Sequence, residues 1–159
     1  MQQRAPSSIK LSLAALLFVL LAYKLWVAAC EGLAELYVVP ASTLMDSWEE
    51  ISLNGASLNG QSGELFNEET QPFVPPHQAY DAVLNNLQIA AKLSPKNPIY
   101  QDELARLLLF KLYDSALDVP DIESTGVEVV NYLRQAAYYR PTWPYHWMDI
   151  AYTQYQLYR

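Results

Sequence analysis

The chain has 159 residues, a formal net charge of −7 and a hydrophobic fraction of 52%. This length favours one modest domain with, at most, a membrane anchor beside it. The single cysteine, Cys30, excludes an intramolecular disulfide and a cysteine-based metal cluster. The acidic balance disfavours nucleic acid as a partner, because phosphate binding needs a basic stripe.

An apolar segment near the N-terminus has the length of a membrane span. Residues Leu11–Ala29 contain one charge, Lys24, which lies near the far end. At 1.5 Å per residue, the segment is about as long as the ~30 Å hydrocarbon core of a bilayer is thick. Tyr23 and Trp26 are typical of the membrane interface. We therefore expect residues 1–30 to form a short tail and a transmembrane anchor.

The charge distribution predicts the orientation of this anchor. Arg4 and Lys10 precede it, whereas no Lys or Arg occurs between Lys24 and Lys92. The positive-inside rule then places the N-terminus in the cytoplasm. We expect a single-pass protein of the bacterial inner membrane with its C-terminal domain in the periplasm.

The residues around Cys30 allow two other interpretations. Val27–Cys30 resembles a bacterial lipobox, which makes Cys30 a candidate lipidation site, and the same small residues fit a signal-peptidase site. Lys24 and Trp26 disfavour both alternatives, because a signal peptide is small and uncharged at this position. We expect an uncleaved anchor, with the lipoprotein as its main rival.

The segment 31–75 is predicted to be a membrane-proximal helix followed by a polar linker. Pro40 is expected to break or kink the helix, with a short second helix at about 43–52. Turn signals such as Asn54–Gly55 and several prolines are typical of a linker over 52–75.

The region 76–159 is predicted to be an all-α domain. Apolar residues with a period of 3.6 indicate four helices, at about 78–93, 99–117, 125–140 and 144–158. Thr125 and Glu128 have the spacing of a capping box at the start of the third helix. The segment before them, Asp118–Glu123, is expected to be a loop.

A motif recurs within this domain at an offset of 46 residues, as from Leu87 to Leu133. In both copies an alanine pair lets two helices approach closely, one proline stops a helix and a second proline begins the next. Asn97 is the predicted N-cap in the first copy, and Thr142 is the nearest equivalent in the second. The residues expected to pack within the repeat are Leu87, Ala90, Pro95, Leu104 and Ala105, then Leu133, Ala136, Pro141, Trp147 and Ala151.

This pattern resembles the tetratricopeptide repeat (TPR), specifically the second helix of one repeat joined to the first helix of the next. The resemblance implies antiparallel helical hairpins. The offset exceeds the family's roughly 34 residues, and the first copy lacks the large aromatic that Trp147 provides, so we expect TPR-like hairpins rather than a regular superhelix. Few repeats leave one end uncovered, and the 43–52 helix or a partner is expected to cap it.

Aromatic residues cluster between the last two predicted helices and along the last one. Trp, Tyr and Arg are frequent hot-spot residues of interfaces, and flat aromatic faces also stack on sugar rings. The residues proposed to contact a partner or a glycan are Tyr139, Arg140, Trp143, Tyr145, His146 and Tyr155. The alternative is helix packing, in which Trp147 and one of Tyr138 or Tyr139 lie in the core while Trp143 and Tyr145 stay exposed.

The sequence offers little for catalysis. His77 and His146 are the only histidines, and neither has a second ligand or a nucleophile at a recognisable spacing. Asp102–Glu103 and Asp149 fit a role in complementing helix dipoles. No glycine-rich phosphate loop is present. We expect a non-enzymatic protein without a metal or another cofactor.

The turn Arg140–Trp147, downstream of one short anchor, is similar to two groups of proteins. One is the helical repeat tail of some O-antigen-ligase-like polymerases, and the other is the VpsP-like bacterial polysaccharide biosynthesis proteins. The resemblance implies an accessory role in the synthesis or export of an exopolysaccharide. It leaves three hypotheses: a scaffold that docks a membrane complex, a periplasmic glycan-binding module and a general envelope assembly factor.

Overall fold

The computed structural model describes residues 7–59, 73–112 and 119–158, and these residues form five α-helices without a β-strand. The all-α prediction is confirmed. The helices are α1 (Ser7–Asn59), α2 (His77–Leu93), α3 (Pro98–Leu112), α4 (Val119–Tyr139) and α5 (Pro144–Leu157).

Helix α1 serves both as the apolar N-terminal segment and as part of the domain core. Its 53 residues correspond to a length of about 80 Å. The side chains of residues 11–26 are exposed, whereas Ala34, Met45 and Trp48 are buried against other helices. The apolar segment and the domain core are therefore joined by continuous helix across the boundary expected at residue 30.

The prediction of a separate helix at 43–52 is wrong, because α1 does not end at Pro40. Pro40 lacks an N–H, so the carbonyl of Leu36 loses its usual donor. The ring of Pro40 is exposed, while Ala41 and Met45 are buried. Burial of residues on both sides of the proline keeps the chain helical through it.

The helix also continues into the segment that was expected to be a linker. Residues 52–59 belong to α1, and Phe73–Pro76 form a non-helical lead into α2. The remainder of the predicted linker, residues 60–72, lies outside the described residues.

Two hydrophobic clusters form the core. The first joins α1, α2 and α3, and includes an edge-to-face contact between Trp48 and Phe110 with ring centroids 5.5 Å apart. The second joins α3, α4 and α5 through Ala105, Leu108, Val129, Val130, Leu133, Ala137 and Ile150. Tyr132 packs against both clusters. Helix α3 is consequently covered from both sides.

Helix α4 begins earlier than predicted. It starts at Val119, so the expected loop at Asp118–Glu123 is wrong from residue 119 onward. Pro120 fits the first turn of a helix, where its missing N–H costs nothing, and Asp121 complements the dipole there. Thr125 is a buried residue inside the helix rather than its cap. The predicted extension of the preceding helix over 113–117 and Asp118 lie outside the described residues.

The burial of side chains in α2 and α4 follows the repeat seen in the sequence. Val83, Leu87 and Ala90 of α2 are buried, and so are the residues of α4 that follow each of them by 46 positions, Val129, Leu133 and Ala136. Asn97 caps α3, since its Oδ1 accepts a hydrogen bond from the Ile99 N–H at 3.0 Å. Thr142 does not cap α5, whose N-cap is Trp143 without a side-chain bond. The TPR-like hairpin arrangement itself stays a prediction.

Helices α1, α3 and α5 run in the same direction. On α3, Tyr100 contacts Glu35 of α1 and Arg106 contacts Asp46, so the two sequences advance together. On α5, His146 lies beside Asp102 of α3, and further along Thr153 shares a groove with Leu109. Helices α2 and α4 return between them.

This parallel arrangement brings two turns to one end of the domain. The α2–α3 turn (94–97) and the α4–α5 turn (140–143) lie at the same end as Glu35, which is the end nearest the apolar segment of α1. We call these two turns the proximal end. The opposite end holds the start of α4 and the end of α3.

Candidate interaction surface

Most residues assigned to repeat packing are buried. Leu87, Ala90, Leu104, Ala105, Leu133 and Ala136 are at most 2% exposed. Pro95 and Pro141 lie exposed in the two turns, where each follows the end of a helix. Trp147 and Ala151 are exposed as well, contrary to the expectation that they pack in the core.

The exposure of Trp147 has a clear physical reason. Its indole is 53% exposed, and its Nε1–H donates to the carbonyl of Pro141 at 3.1 Å. The buried face of α5 is formed instead by His146, Ile150 and Thr153. Among the described residues, no helix packs against the side of α5 that carries Trp147.

A comparison of α3 with α5 makes this uncovered side explicit. Gln101, Ala105 and Leu108 of α3 are buried, and the latter two pack against α4 and α5. The residues 46 positions later are Trp147, Ala151 and Gln154, of which the first two are exposed and the third is half-buried. We call Trp147, Ala151, Gln154, Tyr155 and Tyr158 the α5 outer face. Ala151, Gln154, Tyr155 and Tyr158 line a shallow depression.

The aromatic residues of the α4–α5 turn form a second exposed group. The Arg140 guanidinium lies 4.1 Å from the centre of the Trp143 ring, a cation–π arrangement. Trp143 and Tyr145 have centroids 5.2 Å apart and are tilted by 54°. Tyr138 and Tyr139 form a T-shaped pair, and both are exposed, so the expectation that one of them lies in the core is wrong.

His146 is not available to a partner or a glycan. It is 3% exposed, because it points inward from the first turn of α5. Its Nε2 lies 3.5 Å from Asp102 Oδ1, and its Nδ1 has no hydrogen-bond partner. The described residues contain no group of side chains that could hold a metal ion. His77, by contrast, is exposed at the start of α2.

The carboxylates beside His146 are perturbed by their surroundings. Burial raises the pKa of Asp102, and the nearby Asp149 adds to this effect, while His146 and Arg106 oppose it. Burial also raises the pKa of Asp149. Neither acid lies in the first turn of its helix, so the expectation that they complement helix dipoles is wrong. Both lie near His146 at the contact between α3 and α5.

Tyr100 occupies the position of α3 that His146 occupies in α5. Its hydroxyl donates to Glu35 Oε1 at 2.9 Å. Burial, with help from this hydrogen bond, raises the pKa of Tyr100 to about 12, so the hydroxyl remains a donor at neutral pH. Tyr100 thus links α3 to α1, and His146 links α5 to α3.

Arg106 binds α1 to α3 and was not singled out by the sequence. Its Nη2 lies 2.6 Å from Asp46 Oδ1 and its Nε lies 2.7 Å from Glu49 Oε1, with Glu103 Oε2 at 3.4 Å from Nη1. Burial lowers the pKa of Arg106, but the hydrogen bonds to Glu49 and Asp46 outweigh it and the pKa is raised. No local pattern predicts contacts between residues so far apart in sequence.

The N-terminal part of α1 is long and apolar enough to cross a membrane, and none of its most apolar stretch is buried. Among the described residues, it is the one helix with this property. Cys30 is a half-buried free cysteine within it. A signal sequence shares the same length and composition, so the uncleaved anchor and the lipidation of Cys30 stay predictions.

Comparison with known proteins finds no matching family model, no matching curated protein and no matching solved structure. The function of the chain must therefore be inferred from the geometry of its described residues.

Proposed function

We propose that the chain is a single-span membrane adaptor without catalytic activity. Its helical domain docks a protein of a bacterial exopolysaccharide synthesis or export complex through the α5 outer face. The observation that carries this proposal is the uncovered side of α5. The equivalent side of α3 is buried by the next pair of helices, whereas on α5 the described chain supplies no such cover.

The chemistry of the α5 outer face fits a protein partner. Trp147, Tyr155 and Tyr158 supply large amphipathic rings, and Ala151 leaves room between them for close approach. Aromatic anchors around a small central residue are typical of interface hot spots. A helical hairpin of the partner, laid against α5 as α4 and α5 lie against α3, would bury these side chains.

A glycan-binding module is the second candidate, and the exposed pair Trp143 and Tyr145 favours it. Aromatic rings of this kind can stack on the C–H faces of sugars. Two features weigh against it. The guanidinium of Arg140 covers one face of Trp143, and the tilt of 54° between the rings gives no common flat platform.

The placement in exopolysaccharide machinery has a separate support. It depends on the resemblance of the Arg140–Trp147 turn to the VpsP-like proteins, and the periplasmic location depends on the charges that flank the apolar segment. A general envelope assembly factor would use the same outer face on a different complex.

Site-specific photocrosslinking in cells tests the proposal. A photoreactive residue at Tyr155, on the α5 outer face, is compared with one at Gln78, an exposed position on α2. We expect residue 155, and not residue 78, to capture a defined polymerase, glycosyltransferase or export protein. Identical products from the two positions would contradict docking through α5.

The same experiment distinguishes the glycan-binding module from the protein-docking adaptor. Trp143→Ala combined with Tyr145→Ala should leave capture from residue 155 intact if the partner is a protein on the outer face. Loss of polysaccharide binding in this variant, together with no capture at residue 155, would support the glycan-binding module instead.

A further inference from the structure

The proximal end lies close to the point where α1 leaves its apolar segment. Glu35 of α1, which Tyr100 contacts, follows Ala29 by six residues, or about 9 Å along the helix. The headgroup region extends roughly 5–7 Å beyond each side of the hydrocarbon core. Tyr100 therefore lies just above the headgroups if α1 spans the bilayer up to Ala29.

The α4–α5 turn is placed at a similar height. Asp102 is two residues further along α3 than Tyr100, and His146 of α5 lies beside it. Residues 140–143 precede His146 on the side that faces the apolar segment. Because α3 and α5 run parallel to α1, the turns that precede them lie closer to the bilayer than Tyr100 and His146 do. These turns then lie at the headgroup layer, and the usual tilt of a transmembrane helix does not change this.

The charges of the domain are distributed unevenly between its two ends. Three of the six Lys and Arg residues described beyond residue 31 lie at the proximal end or in the helix turn that leads into it: Lys92, Lys96 and Arg140. The others are Arg106, which is held by three carboxylates, Lys111 at the opposite end, and Arg134 in the middle of α4. The opposite end also carries Asp121 and Glu123.

Exposed aromatic residues are also concentrated at the proximal end. Tyr138, Trp143 and Tyr145 are exposed, and the Trp143 ring lies against Arg140. Trp and Tyr are the residues that concentrate at the level of lipid headgroups. The acidic residues at this height are Glu31 and Glu35 on α1 and Asp102 on α3. None of these three acids lies in the two turns, whose residues 94–97 and 140–143 include Lys96, Arg140 and Trp143 and no carboxylate.

We propose that the proximal end docks on anionic lipid headgroups of the bilayer that α1 crosses, through Lys92, Lys96, Arg140 and Trp143. This inference rests on the proposed membrane anchor. Each Lys or Arg near an anionic surface is attracted to it, within about one Debye length. Docking holds the domain upright and turns the α5 outer face sideways, toward proteins of the same membrane.

The full chain reconstituted in vesicles tests this proposal. In a Cys30→Ser background, a fluorophore is attached at Thr142→Cys, in the α4–α5 turn, or at Glu123→Cys, at the opposite end. Vesicles contain phosphatidylcholine alone or mixed with phosphatidylglycerol, and a nitroxide on the lipid headgroup serves as quencher. We expect quenching at residue 142 to be several-fold stronger than at residue 123 in the anionic vesicles.

Charge variants test the cause of the contact. Lys96→Gln combined with Arg140→Gln should abolish most of the extra quenching at residue 142, whereas Lys111→Gln at the opposite end should not change it. Raising the salt from about 0.1 M to about 1 M, which shortens the Debye length from about 10 Å to about 3 Å, should act like the double variant.

Flotation after a carbonate wash separates failure of this inference from failure of the anchor. A chain that does not float with the vesicles would overturn both. A chain that floats but shows equal quenching at residues 142 and 123 would overturn only the docking of the proximal end. Equal quenching at residue 142 in both lipid compositions would overturn the assignment to anionic headgroups.

Discussion

Arg106 is one of the side chains that join α1 to the rest of the domain. It sits between two carboxylates of α1, Asp46 and Glu49, and one of its own helix, Glu103. Its side chain is three-quarters shielded from solvent, whereas Asp46 is mostly exposed. Charge-assisted hydrogen bonds of this kind are stronger than neutral ones, but exposure of the partner reduces their net effect.

Removal of this guanidinium should loosen the contact between α1 and α3. We expect Arg106→Gln to lower the free energy of unfolding by about 1–2 kcal/mol, since three carboxylates then lose their common partner. The measurement is chemical unfolding of the full chain in detergent, followed by circular dichroism. Lys111→Gln on the same helix is the control and should have little effect; equal losses in both variants would contradict the role of Arg106.

The contact between α3 and α5 should respond to pH through Asp102. Its pKa is raised in the folded protein, chiefly by burial, so the ionised form is favoured less in the folded than in the unfolded chain. Stability is therefore lost as the pH rises through the raised pKa. Asp102→Asn should increase the free energy of unfolding at pH 7, by less than about 1 kcal/mol because the carboxyl is half exposed.

The same substitution should have almost no effect at about pH 3, where the carboxyl is protonated in both states. Unfolding curves at the two pH values measure the difference, with the exposed carboxylate variant Asp81→Asn as control. A gain from Asp102→Asn that persists unchanged at low pH would show that charge is not its cause.

Helix α1 is the element on which the architecture depends, because it continues from the apolar segment through Pro40 into the core. A proline inside a helix costs up to about 3 kcal/mol, since it removes a hydrogen bond and crowds the preceding turn. The buried residues on both sides of Pro40 compensate for that cost. A continuous helix fixes the position of the apolar segment relative to the domain core.

Replacement of the proline tests this continuity. Pro40→Ala restores an N–H for the carbonyl of Leu36, and we expect it to raise the free energy of unfolding by about 1–3 kcal/mol. The measurement is chemical unfolding monitored by circular dichroism. Pro95→Ala, in the turn between α2 and α3, serves as control and should not stabilise the chain. No gain from Pro40→Ala would indicate that α1 is already interrupted at this position.

The elements that the sequence predicted well are those whose periodic residues face a core. The apolar stripe over 78–93 became α2, and the region 144–158 became α5, each within one residue at either end. The sequence does not predict the start of α4, because Pro120 is as typical of a loop as of a first helical turn. At Pro40, by contrast, tertiary packing overrides a local preference for a break.

At the scale of the whole molecule, the five described helices pack in chain order, and none of them covers the α5 outer face. The internal repeat predicted which residues of α2, α3 and α4 would be buried. It could not predict the exposure of Trp147 and Ala151, because burial there depends on which element packs against that side of α5 rather than on the residues themselves. The Arg106 contacts could not be predicted from the sequence either, since they join residues 57 and 60 positions apart.

The proposed docking of a protein partner on the α5 outer face is tested directly by one substitution. Ala151→Arg places a long charged side chain in the middle of that face, and Ala82→Arg makes the same change at an exposed position on α2. The measurement is the yield of the crosslinked complex from Tyr155 in cells that express equal amounts of each full-length variant. We expect at least an about tenfold loss for Ala151→Arg, equivalent to about 1.4 kcal/mol, and no loss for Ala82→Arg. An unchanged yield for Ala151→Arg would contradict docking through α5.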